Sequence, residues 1–469
     1  MSNARDFGAR GDGVTDDTTA VQHALADGDG QLILPRGDYR ITRPLQVRLP
    51  QGRMAISGSG GVGRLLMDGP GPCLDLTASH TGTAAPASFR PEQWQHERMP
   101  TIDGVEIVGR HPEADGIRIR GVMQPTITRT LIRQVRTAVT VTGRARNLLI
   151  SGCHFYENTG IGVHLTNVNL HQVIIADSHI SYCRRGGVRI ESSEIRNLQI
   201  TGNDIEYNNY RAHEKNFPEA AAEPTAEIYV DVSSGSVREG TITSNTIQAT
   251  YSPNGANIRF LGHGEPGHEQ MGMWTITGNL IGSQNHNIHL SRVYGVNITG
   301  NYIYSGHDRN LLVEDSRNIV VGTNSFGHNA DYKDKALATG LRFVNCRNCN
   351  LSGLLIQDAP QGRHTVPGVV DLNREALVEV IGGDAFNISG CQILDGTPIG
   401  LLLRDCVNSV VSGCTILDQR ADPRMTSAVT WQGNGKGNML CNNRLGGPPL
   451  QIPTAAGVRS SGNLLDDKP

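Results

Sequence analysis

A short phrase recurs through most of the chain and limits what it can fold into. Residues 297–301 read Asn-Ile-Thr-Gly-Asn, and similar phrases, a β-branched pair before a tight turn, return near residues 202, 244, 278, 323, 352, 389 and 412. Two clean intervals, Asn301 to Asn324 and Gly390 to Gly413, both span 23 residues. A repeat of this length made of short β segments buries its apolar side only when neighbouring repeats stack. The sequence therefore predicts an all-β solenoid.

The composition and charge of the chain limit the kinds of molecule that it can bind. The 56 glycines and 5% aromatic residues are typical of a coil with many tight turns. Because 42 basic residues are balanced by 45 acidic ones, we expect neither nucleic acid nor a membrane surface as a partner. Residues 1–10 contain no hydrophobic signal region, and no apolar run reaches eighteen residues. We therefore expect a soluble protein, either cytoplasmic or the mature form of an exported one.

The cysteines fit the repeat better than they fit a disulfide framework. Nine is an odd number, and Cys153, Cys391 and Cys414 each follow Ser-Gly at the turn position that Asn301 occupies in its own repeat. We expect these thiols to be buried in ladders of stacked side chains. The pair Cys346 and Cys349 has no second pair beside it, so it does not indicate a zinc or redox site.

The beginning of the chain carries a family signature. Residues 6–22 read Asp-Phe-Gly-Ala-Arg-Gly-Asp-Gly-Val-Thr-Asp-Asp-Thr-Thr-Ala-Val-Gln, and residues 32–39 read Leu-Ile-Leu-Pro-Arg-Gly-Asp-Tyr. This opening resembles that of the pectate-lyase-like superfamily, which includes polygalacturonase-type hydrolases, lyases, alginate epimerases and phage tailspikes. The resemblance implies a right-handed parallel β-helix, but not one particular reaction.

The same segment predicts a short helix that caps the coil. Residues 15–17 offer side-chain oxygens and negative charge to a helix over residues 18–26, with Val21 and Leu25 on one face. We therefore divide the chain into an N-terminal cap, residues 1–45, and a β-helix, residues 46–469.

Two motif matches do not carry function. Of the residues that mark a polygalacturonase-type site, only Gly262-His263-Gly264 is present. Residues 58–63 read Gly-Ser-Gly-Gly-Val-Gly, but a further strand follows instead of a helix, so no helix N-terminus is available for a dinucleotide.

Strand alternation places side chains inside or outside the coil once the repeats are aligned on the recurring phrase. The predicted inward pairs are Val163 and Leu165, Val188 and Ile190, Val230 and Val232, Ile258 and Phe260, Ile288 and Leu290, Leu311 and Val313, Leu341 and Phe343, Leu401 and Leu403. The residues between them form an outward row on one exposed sheet: His164, Arg189, Asp231, Arg259, His289, Leu312, Arg342 and Leu402, with Glu379 before the last. A second outward row contains Thr166, Glu191, Ser233, Leu261, Ser291, Glu314, Val344 and Arg404.

Inserted segments are predicted to surround this sheet. Three long insertions, near residues 207–225, 262–273 and 327–339, interrupt the middle of the chain, and long loops inside a regular repeat are usually functional. We expect them to wall the sheet into a groove. A fourth, residues 77–99, lies nearer the cap and could cover the end of the coil or contact a neighbouring subunit in a homotrimer, an assembly that parallel β-helices often form.

A groove lined by arginine, carboxylate and histidine suits a poly- or oligosaccharide, because guanidinium groups bind carboxylate or sulfate in bidentate fashion. The candidate catalytic residues are Asp231, His289, Glu191, Glu314 and Asp308. The candidate substrate-binding residues are Arg189, Tyr229, Arg259, Arg342, Glu227 and His307.

Three functions remain open at this point. We favour hydrolysis or transfer of a glycosidic bond, in which one carboxyl protonates the leaving oxygen and a second acts as base or nucleophile. A uronate lyase would instead use His289, Tyr229 and Arg259 for proton abstraction and charge stabilisation. A non-catalytic, tailspike-like binding β-helix is the third. No cofactor is predicted; a calcium site at Asp231 and Glu191 stays open, although the two residues are a small set of oxygen ligands.

Overall fold

The computed structural model describes residues 1–83, 85–209, 225–249, 251–265, 267–329, 340–358, 374–447, 450 and 452–466. These residues form short parallel strands that pair with the equivalent strands of the next coil, which confirms the predicted right-handed parallel β-helix. The chain packs as two compact units, residues 1–241 and 242–469.

In the first unit, the strands lie in three parallel sheets. The first sheet contains Leu45–Arg48, Gly71–Thr77, Ala114–Met123, Thr137–Ser151, Ile161–Ala176, Gly186–Glu191 and Ala226–Val232. The second contains Ser2–Asn3, Gln31–Ile33, Ala55–Ser57, Thr101–Asp103, Thr126–Thr128, Glu194–Thr201 and Ser236–Thr243, together with the C-terminal halves of Thr137–Ser151 and Ile161–Ala176. The third contains Asp12–Asp16, Gly37–Ile41, Gly63–Met67, Glu106–Gly109, Leu131–Arg133, His154–Tyr156, His179–Ser181 and Asp204–Glu206.

The second unit repeats this plan. Its first sheet contains Ala256–Gly262, His286–Ser291, Arg309–Glu314, Leu341–Val344, Val378–Ile381, Ile399–Arg404 and Ser427–Gln432. Its second contains Met271–Thr277, Val293–Thr299, Arg317–Gly322, Arg347–Ser352, Asp384–Ser389, Val410–Ser412, Asn438–Cys441 and Val458–Ser461. Its third contains Thr246–Gln248, Leu280–Gly282, Tyr302–Tyr304, Ser325–Gly327, Leu355–Gln357, Gln392–Leu394, Thr415–Leu417, Arg444–Gly446 and Leu464–Asp466.

The helical segments are short. Among the described residues, the α-helix is Thr18–Ala26, as predicted, and the other helical turns are Ala4–Phe7, Leu49–Gln51, Pro86–Ser88, Gln93–Glu97 and Thr454–Ala456. None of the helices in the described ranges is long and apolar enough to cross a lipid bilayer.

The interior of each coil is apolar, as the alternation predicts. Every predicted inward residue, from Val163 to Leu403, has no solvent exposure. Burying one such aliphatic side chain contributes roughly 1.5–3 kcal/mol, so the stacked pairs are the main stabilising element of the fold.

The recurring Gly-Asn phrase forms the turn between the second and third sheets. Gly300 has a φ of 67°, a left-handed conformation that glycine adopts without strain. Asn301 then enters a buried ladder: its Nδ2 donates to Asn324 Oδ1 at 2.9 Å, and its Oδ1 accepts from Asn279 Nδ2 at 2.9 Å. The amide side chains therefore satisfy one another from coil to coil.

The cysteines behave as the ladder interpretation requires. All nine are free thiols, and eight are buried. Cys414 occupies a ladder position, because its backbone N–H donates to Asn443 Oδ1 at 2.9 Å.

At the N-terminus, the capping oxygens differ in part from the prediction. Asp16 Oδ1 does accept from the backbone N–H of Thr18 at 3.0 Å. The Asp17 carboxylate instead accepts from the backbone N–H groups of Arg10 and Gly11, at 2.7 and 2.9 Å. It therefore holds the preceding loop and makes no capping bond to the helix.

Candidate functional site

Five polar side chains meet on the outer side of the first sheet in the first unit. They are His164, Arg189, Glu191, Tyr229 and Asp231, and we call them the 164–231 cluster. Three consecutive strands supply them: Ile161–Ala176, Gly186–Glu191 and Ala226–Val232. Because parallel strands alternate their side chains in register, the polar positions of all three strands point to the same side.

The members of the 164–231 cluster form a continuous chain of contacts. His164 Nε2 lies 2.8 Å from Glu191 Oε2, and Arg189 Nη2 donates to Glu191 Oε1 at 2.8 Å. The Arg189 guanidinium also lies over the Tyr229 ring, 4.5 Å from its centroid. The Tyr229 hydroxyl in turn donates to Asp231 Oδ2 at 3.1 Å. Each side chain is thus positioned by its neighbour.

These contacts fix two protonation states. Burial alone would raise the pKa of Glu191, but hydrogen bonds from His164 and Arg189 outweigh it and lower the pKa to about 2. Burial, with the nearby Asp231 charge, raises the pKa of Tyr229 to about 12. At neutral pH, Glu191 is therefore ionised and Tyr229 is a neutral phenol.

The register of the Asp231 strand differs from the predicted one by two residues. Tyr229, and not Asp231, is the partner of Arg189, while Asp231 pairs with Glu191. Likewise Ile228 and Val230, and not Val230 and Val232, pair with Val188 and Ile190. The cause is a turn around residues 233–235 that is two residues longer than the turn after Glu191, as the ladder contact between Asn197 and Glu239 shows. Alignment on the recurring phrase alone cannot detect this.

The expectation that Glu227 faces the groove is wrong. Its side chain is 1% exposed, and its carboxylate accepts from the backbone N–H and Nδ2 of Asn208, at 2.9 and 2.6 Å. Burial raises the pKa of Glu227 well above its ordinary value. This residue supports the turn before residue 210 and does not line an open surface.

A second group of polar side chains lies on the first sheet of the second unit. It consists of Arg259, His286, His289, Asp308 and Glu314, and we call it the 259–314 cluster. Here the predicted row is confirmed, because Arg259 pairs with His289, His289 with Leu312 and Leu312 with Arg342.

Each carboxylate of the 259–314 cluster has its own histidine. Glu314 Oε2 lies 2.9 Å from His289 Nε2, and Asp308 Oδ2 lies 2.8 Å from His286 Nε2. Arg259 Nε donates to His289 Nδ1 at 3.1 Å. Because an arginine N–H can only donate, His289 Nδ1 must accept, and the ring proton is therefore on Nε2, facing Glu314. His289 is a neutral imidazole with both nitrogens engaged.

The pKa shifts agree with this assignment. Burial, with the neighbouring Arg259 charge, lowers the pKa of His289. The hydrogen bond from His289 lowers the pKa of Glu314. Burial works to raise the pKa of Asp308, but the hydrogen bond from His286 and the charge of Arg309 outweigh it and hold the pKa below its ordinary value.

A buried ion pair lies beside the 259–314 cluster. Glu379 pairs in register with Arg342, as its predicted place in the outward row requires, but it has no exposure. Its carboxylate accepts from Arg342 Nη1 at 3.1 Å and from Arg309 Nη2 at 3.5 Å. The backbone N–H of Glu375 also donates to it, at 2.9 Å. The Arg342 side chain remains one-third exposed, whereas Arg259, the other predicted binding arginine on this sheet, is buried. Arg342 can therefore reach a ligand in solvent.

Other predicted features lie outside these clusters or outside the described residues. His307 is 6% exposed, and its ring centroid lies 4.9 Å from that of Tyr251. The central parts of the insertions near residues 207–225 and 327–339, including residues 331–334, are outside the described residues. Over the described ranges, no group of three or more His, Cys, Asp or Glu side chains is arranged to hold a metal ion.

Two functional candidates were missed from the sequence. His164 was placed on the outward row but given no role, although it hydrogen-bonds Glu191. The sequence does not indicate His286, because it lies three positions before His289 and strict alternation puts the two on opposite sides of a strand. It lies at the first position of its strand, where its ring leans toward His289 with 5.6 Å between centroids.

Comparison with known proteins supports the fold and the superfamily. Residues 93–216 match the family model described as right-handed beta helix region, and residues 1–61 match rhamnogalacturonase A/epimerase, pectate lyase-like. Together with the observed fold, these matches confirm the resemblance to the pectate-lyase-like superfamily.

Individual relatives match over short segments. Mannuronan C5-epimerase AlgE5 and alginate lyase 7, both of Azotobacter vinelandii, are 52% and 50% identical over 44 residues. That segment is 8% of this chain but only 4% and 5% of those proteins. Among solved structures, the A-module of the Azotobacter vinelandii mannuronan C-5 epimerase AlgE4 is similar over 98% of this chain and 100% of its own, with 14% identity and a TM-score of 0.39.

Proposed function

We propose that this member of the pectate-lyase-like superfamily acts on a polysaccharide and cleaves or transfers its glycosidic bonds at the 164–231 cluster. The observation that carries the proposal is the pairing of Glu191 with Asp231. Neighbouring strands lie about 4.8 Å apart, so two carboxyl groups in register come within the roughly 5 to 9 Å that glycosidases use.

The contacts of the cluster suggest a role for each carboxyl group. Glu191 is held ionised by His164 and Arg189 and would attack, or stabilise, the positive charge that develops at the anomeric carbon. Asp231, after it takes up a proton, would give that proton to the leaving oxygen and then accept one from the attacking water or acceptor sugar. The bond broken is the one between the anomeric carbon and the leaving oxygen, and the acceptor hydroxyl replaces it.

Arg189 and Tyr229 would orient these groups and the substrate. Tyr229 offers a neutral hydroxyl beside Asp231, and its ring supports the Arg189 guanidinium. Such a site favours a polar sugar whose hydroxyl or acid groups match these donors.

A second candidate is β-elimination or epimerisation of a uronate polymer. The favouring observation is the hydrogen bond from Tyr229 to Asp231, since a phenol can return a proton to the sugar carbon next to an acid group. The names of the matched epimerase and lyase agree with this chemistry, although the matched segment is 8% of this chain.

A panel of pectic, alginate, fucan and fructan polymers separates these candidates. New reducing ends without ultraviolet-absorbing unsaturated uronates support hydrolysis, and transfer is detected as longer saccharide products. A rise in ultraviolet absorbance supports elimination, and deuterium uptake at C5 without chain cleavage supports epimerisation. If no polymer in the panel is changed but one is bound, the enzymatic proposal is wrong and a binding β-helix is the better description.

A further inference from the structure

A large open cavity lies in the N-terminal part of the first unit. It measures about 1290 Å³ and shares no residue with the 164–231 cluster. Its walls are the C-terminal half of the α-helix, the loop at residues 28–31, the segment at residues 43–55, and residues 96–99 at the end of the fourth insertion. We call it the N-terminal basic cavity.

Positive charge dominates the lining of this cavity. Arg43, Arg48, Arg53 and Arg98 all border it, and Asp29 is the acidic residue among its lining residues. The Asp29 carboxylate is already used, since it accepts from Ser2 N at 3.1 Å and Ser2 Oγ at 2.9 Å. The balance of charge at this surface is therefore strongly positive, although the whole chain carries a net charge of −3.

The guanidinium groups keep most of their hydrogen-bond donors available. Arg43 Nη2 donates to Thr19 Oγ1 at 3.0 Å. Arg48, Arg53 and Arg98 are exposed, and in the described part of the chain their side chains form no hydrogen bond or ion pair. By contrast, Arg40, Arg64 and Arg118 of the same unit each bind an aspartate. An anion in the cavity would relieve the repulsion among the unpaired charges.

Amide side chains add donors and acceptors suited to hydroxyl groups. Gln31 and Gln51 line the cavity, and within the described ranges their side-chain amides have no partner. The Gln22 side chain is bound to the Gln46 backbone and holds the helix against the wall. Its Nε2 donates to the Gln46 carbonyl at 3.1 Å, and its Oε1 accepts from the Gln46 backbone N–H at 2.8 Å. Guanidinium and amide groups together match a sugar that carries acid groups.

Two backbone segments approach each other closely at the floor of the cavity. Gly30 has a φ of 90°, and a Cβ atom there would lie 2.6 Å from the Arg53 carbonyl oxygen. Its own carbonyl accepts from the Ala55 N–H at 2.8 Å. The close approach of these two segments sets the backbone position from which Arg53 extends, so binding would order the arginine side chains and not this part of the backbone.

We propose that the N-terminal basic cavity binds an anionic oligosaccharide, as a non-catalytic site separate from the 164–231 cluster. Its volume exceeds that of a typical drug-sized site and accommodates several sugar rings. Such a site would anchor an acidic polysaccharide chain while another part of it is processed. The proposal concerns binding only and stands whether or not the catalytic assignment is correct.

Titration calorimetry of the full chain tests this proposal. The ligands are three tetrasaccharides: one of uronic acids, one sulfated, and one uncharged. The test variant is Arg48→Ala/Arg53→Ala/Arg98→Ala, and its matched control is Arg292→Ala/Arg347→Ala/Arg459→Ala, which removes the same charge from exposed arginines of the second unit. All chains carry Glu191→Gln to suppress turnover, and each tetrasaccharide is checked by mass spectrometry after the titration to show that it is intact.

We expect a charged tetrasaccharide to bind the chain in which the cavity arginines are unchanged. The triple substitution in the test variant should weaken this affinity about tenfold or more, and the affinity of the control should stay within about twofold. Rising salt should weaken binding in the control but have a smaller effect in the test variant. The uronate and sulfate arms identify the acid group. Unchanged affinity in the test variant, equal loss in the control, or no binding of either charged ligand at about 1 mM would each overturn the proposal.

Discussion

The two clusters contain similar residues but arrange them differently. In the 164–231 cluster, Glu191 has a second carboxylate, Asp231, as its register partner. In the 259–314 cluster, Glu314 lies between Ser291 and Val344, so no carboxylate faces it on either neighbouring strand. The histidine contacts are nearly equal, at 2.8 and 2.9 Å. Both clusters contain two carboxyl groups, but only in the 164–231 cluster does strand register place the two side by side, where they can act together. In the 259–314 cluster, Glu314 has no carboxylate as its register partner.

The second region also commits more of its charge to structure. Arg309 is 4% and Glu379 0% exposed, and His289 has both ring nitrogens engaged. The 164–231 cluster, in contrast, ends in Asp231 on the solvent side of its strand. We therefore expect substitutions in the first region to affect turnover and those in the second to affect stability more.

The largest expected effect is that of Asp231→Asn on turnover. Removing the proposed acid group should lower turnover about 10³-fold, the range typical of a lost acid–base residue. Asp308→Asn, the counterpart in the second region, should lower it less than about tenfold. Initial rates on the responsive polymer measure both. Equal losses would remove the distinction between the regions.

Next in size is the effect of Glu379→Ala on stability. This change leaves the buried Arg309 with Asp308 as its remaining carboxylate partner and removes the carboxylate that pairs with Arg342, so it should lower the free energy of unfolding by about 3 kcal/mol. Urea unfolding followed by circular dichroism measures it.

The matched control is Glu375→Ala, which breaks the exposed pair between Glu375 and Arg404. It should cost no more than about 1 kcal/mol. If Glu379→Ala costs as little, the ion pair does not have the structural role given to it here.

A smaller effect is expected for Tyr229→Phe. Loss of the hydroxyl that donates to Asp231 should lower turnover about tenfold, while the ring remains beneath Arg189. Tyr294→Phe is the control, because Tyr294 also lies beneath an arginine, Arg317, in the second unit. A complete loss of activity in Tyr229→Phe, with Glu191→Gln still active, would favour elimination or epimerisation.

The smallest effect concerns pH. The pKa of Glu191 is about 2 in the folded protein and about 4.5 in its ordinary state, so its stabilising contribution is present above pH 4.5 and lost as the pH falls toward 2. Wild type should exceed Glu191→Gln in unfolding free energy by about 2 kcal/mol at pH 6, and the difference should vanish near pH 2. A difference that grows on acidification would contradict the assigned protonation state.

Much of the second region could be predicted from sequence. The row Arg259, His289, Leu312 and Arg342 follows from aligning repeats of regular length, and the observed register agrees. The burial of Glu379 could not be predicted, because alternation gives the side of a strand and not what covers it. Residues 375 and 376 and two arginines enclose it.

The first region shows where such alignment fails. The longer turn after Asp231 shifts its strand by two residues, and the effect is to pair Asp231 with Glu191 instead of Arg189. Glu227 has the alternation of an outward residue, yet Asn208 and the turn that contains it bury the carboxylate. The first difference arises from the length of one turn and the second from the contact between Asn208 and Glu227, and a repeat pattern encodes neither.

The most direct test of the account compares Glu191→Gln with Glu314→Gln. Both glutamates occupy equivalent positions near the ends of their strands, each accepts a histidine contact, and their side chains are 28% and 39% exposed. We expect Glu191→Gln to lower turnover about 10³-fold, while Glu314→Gln should remain within about tenfold of wild type. Full turnover in Glu191→Gln, or a greater loss in Glu314→Gln, would contradict the assignment of catalysis to the 164–231 cluster.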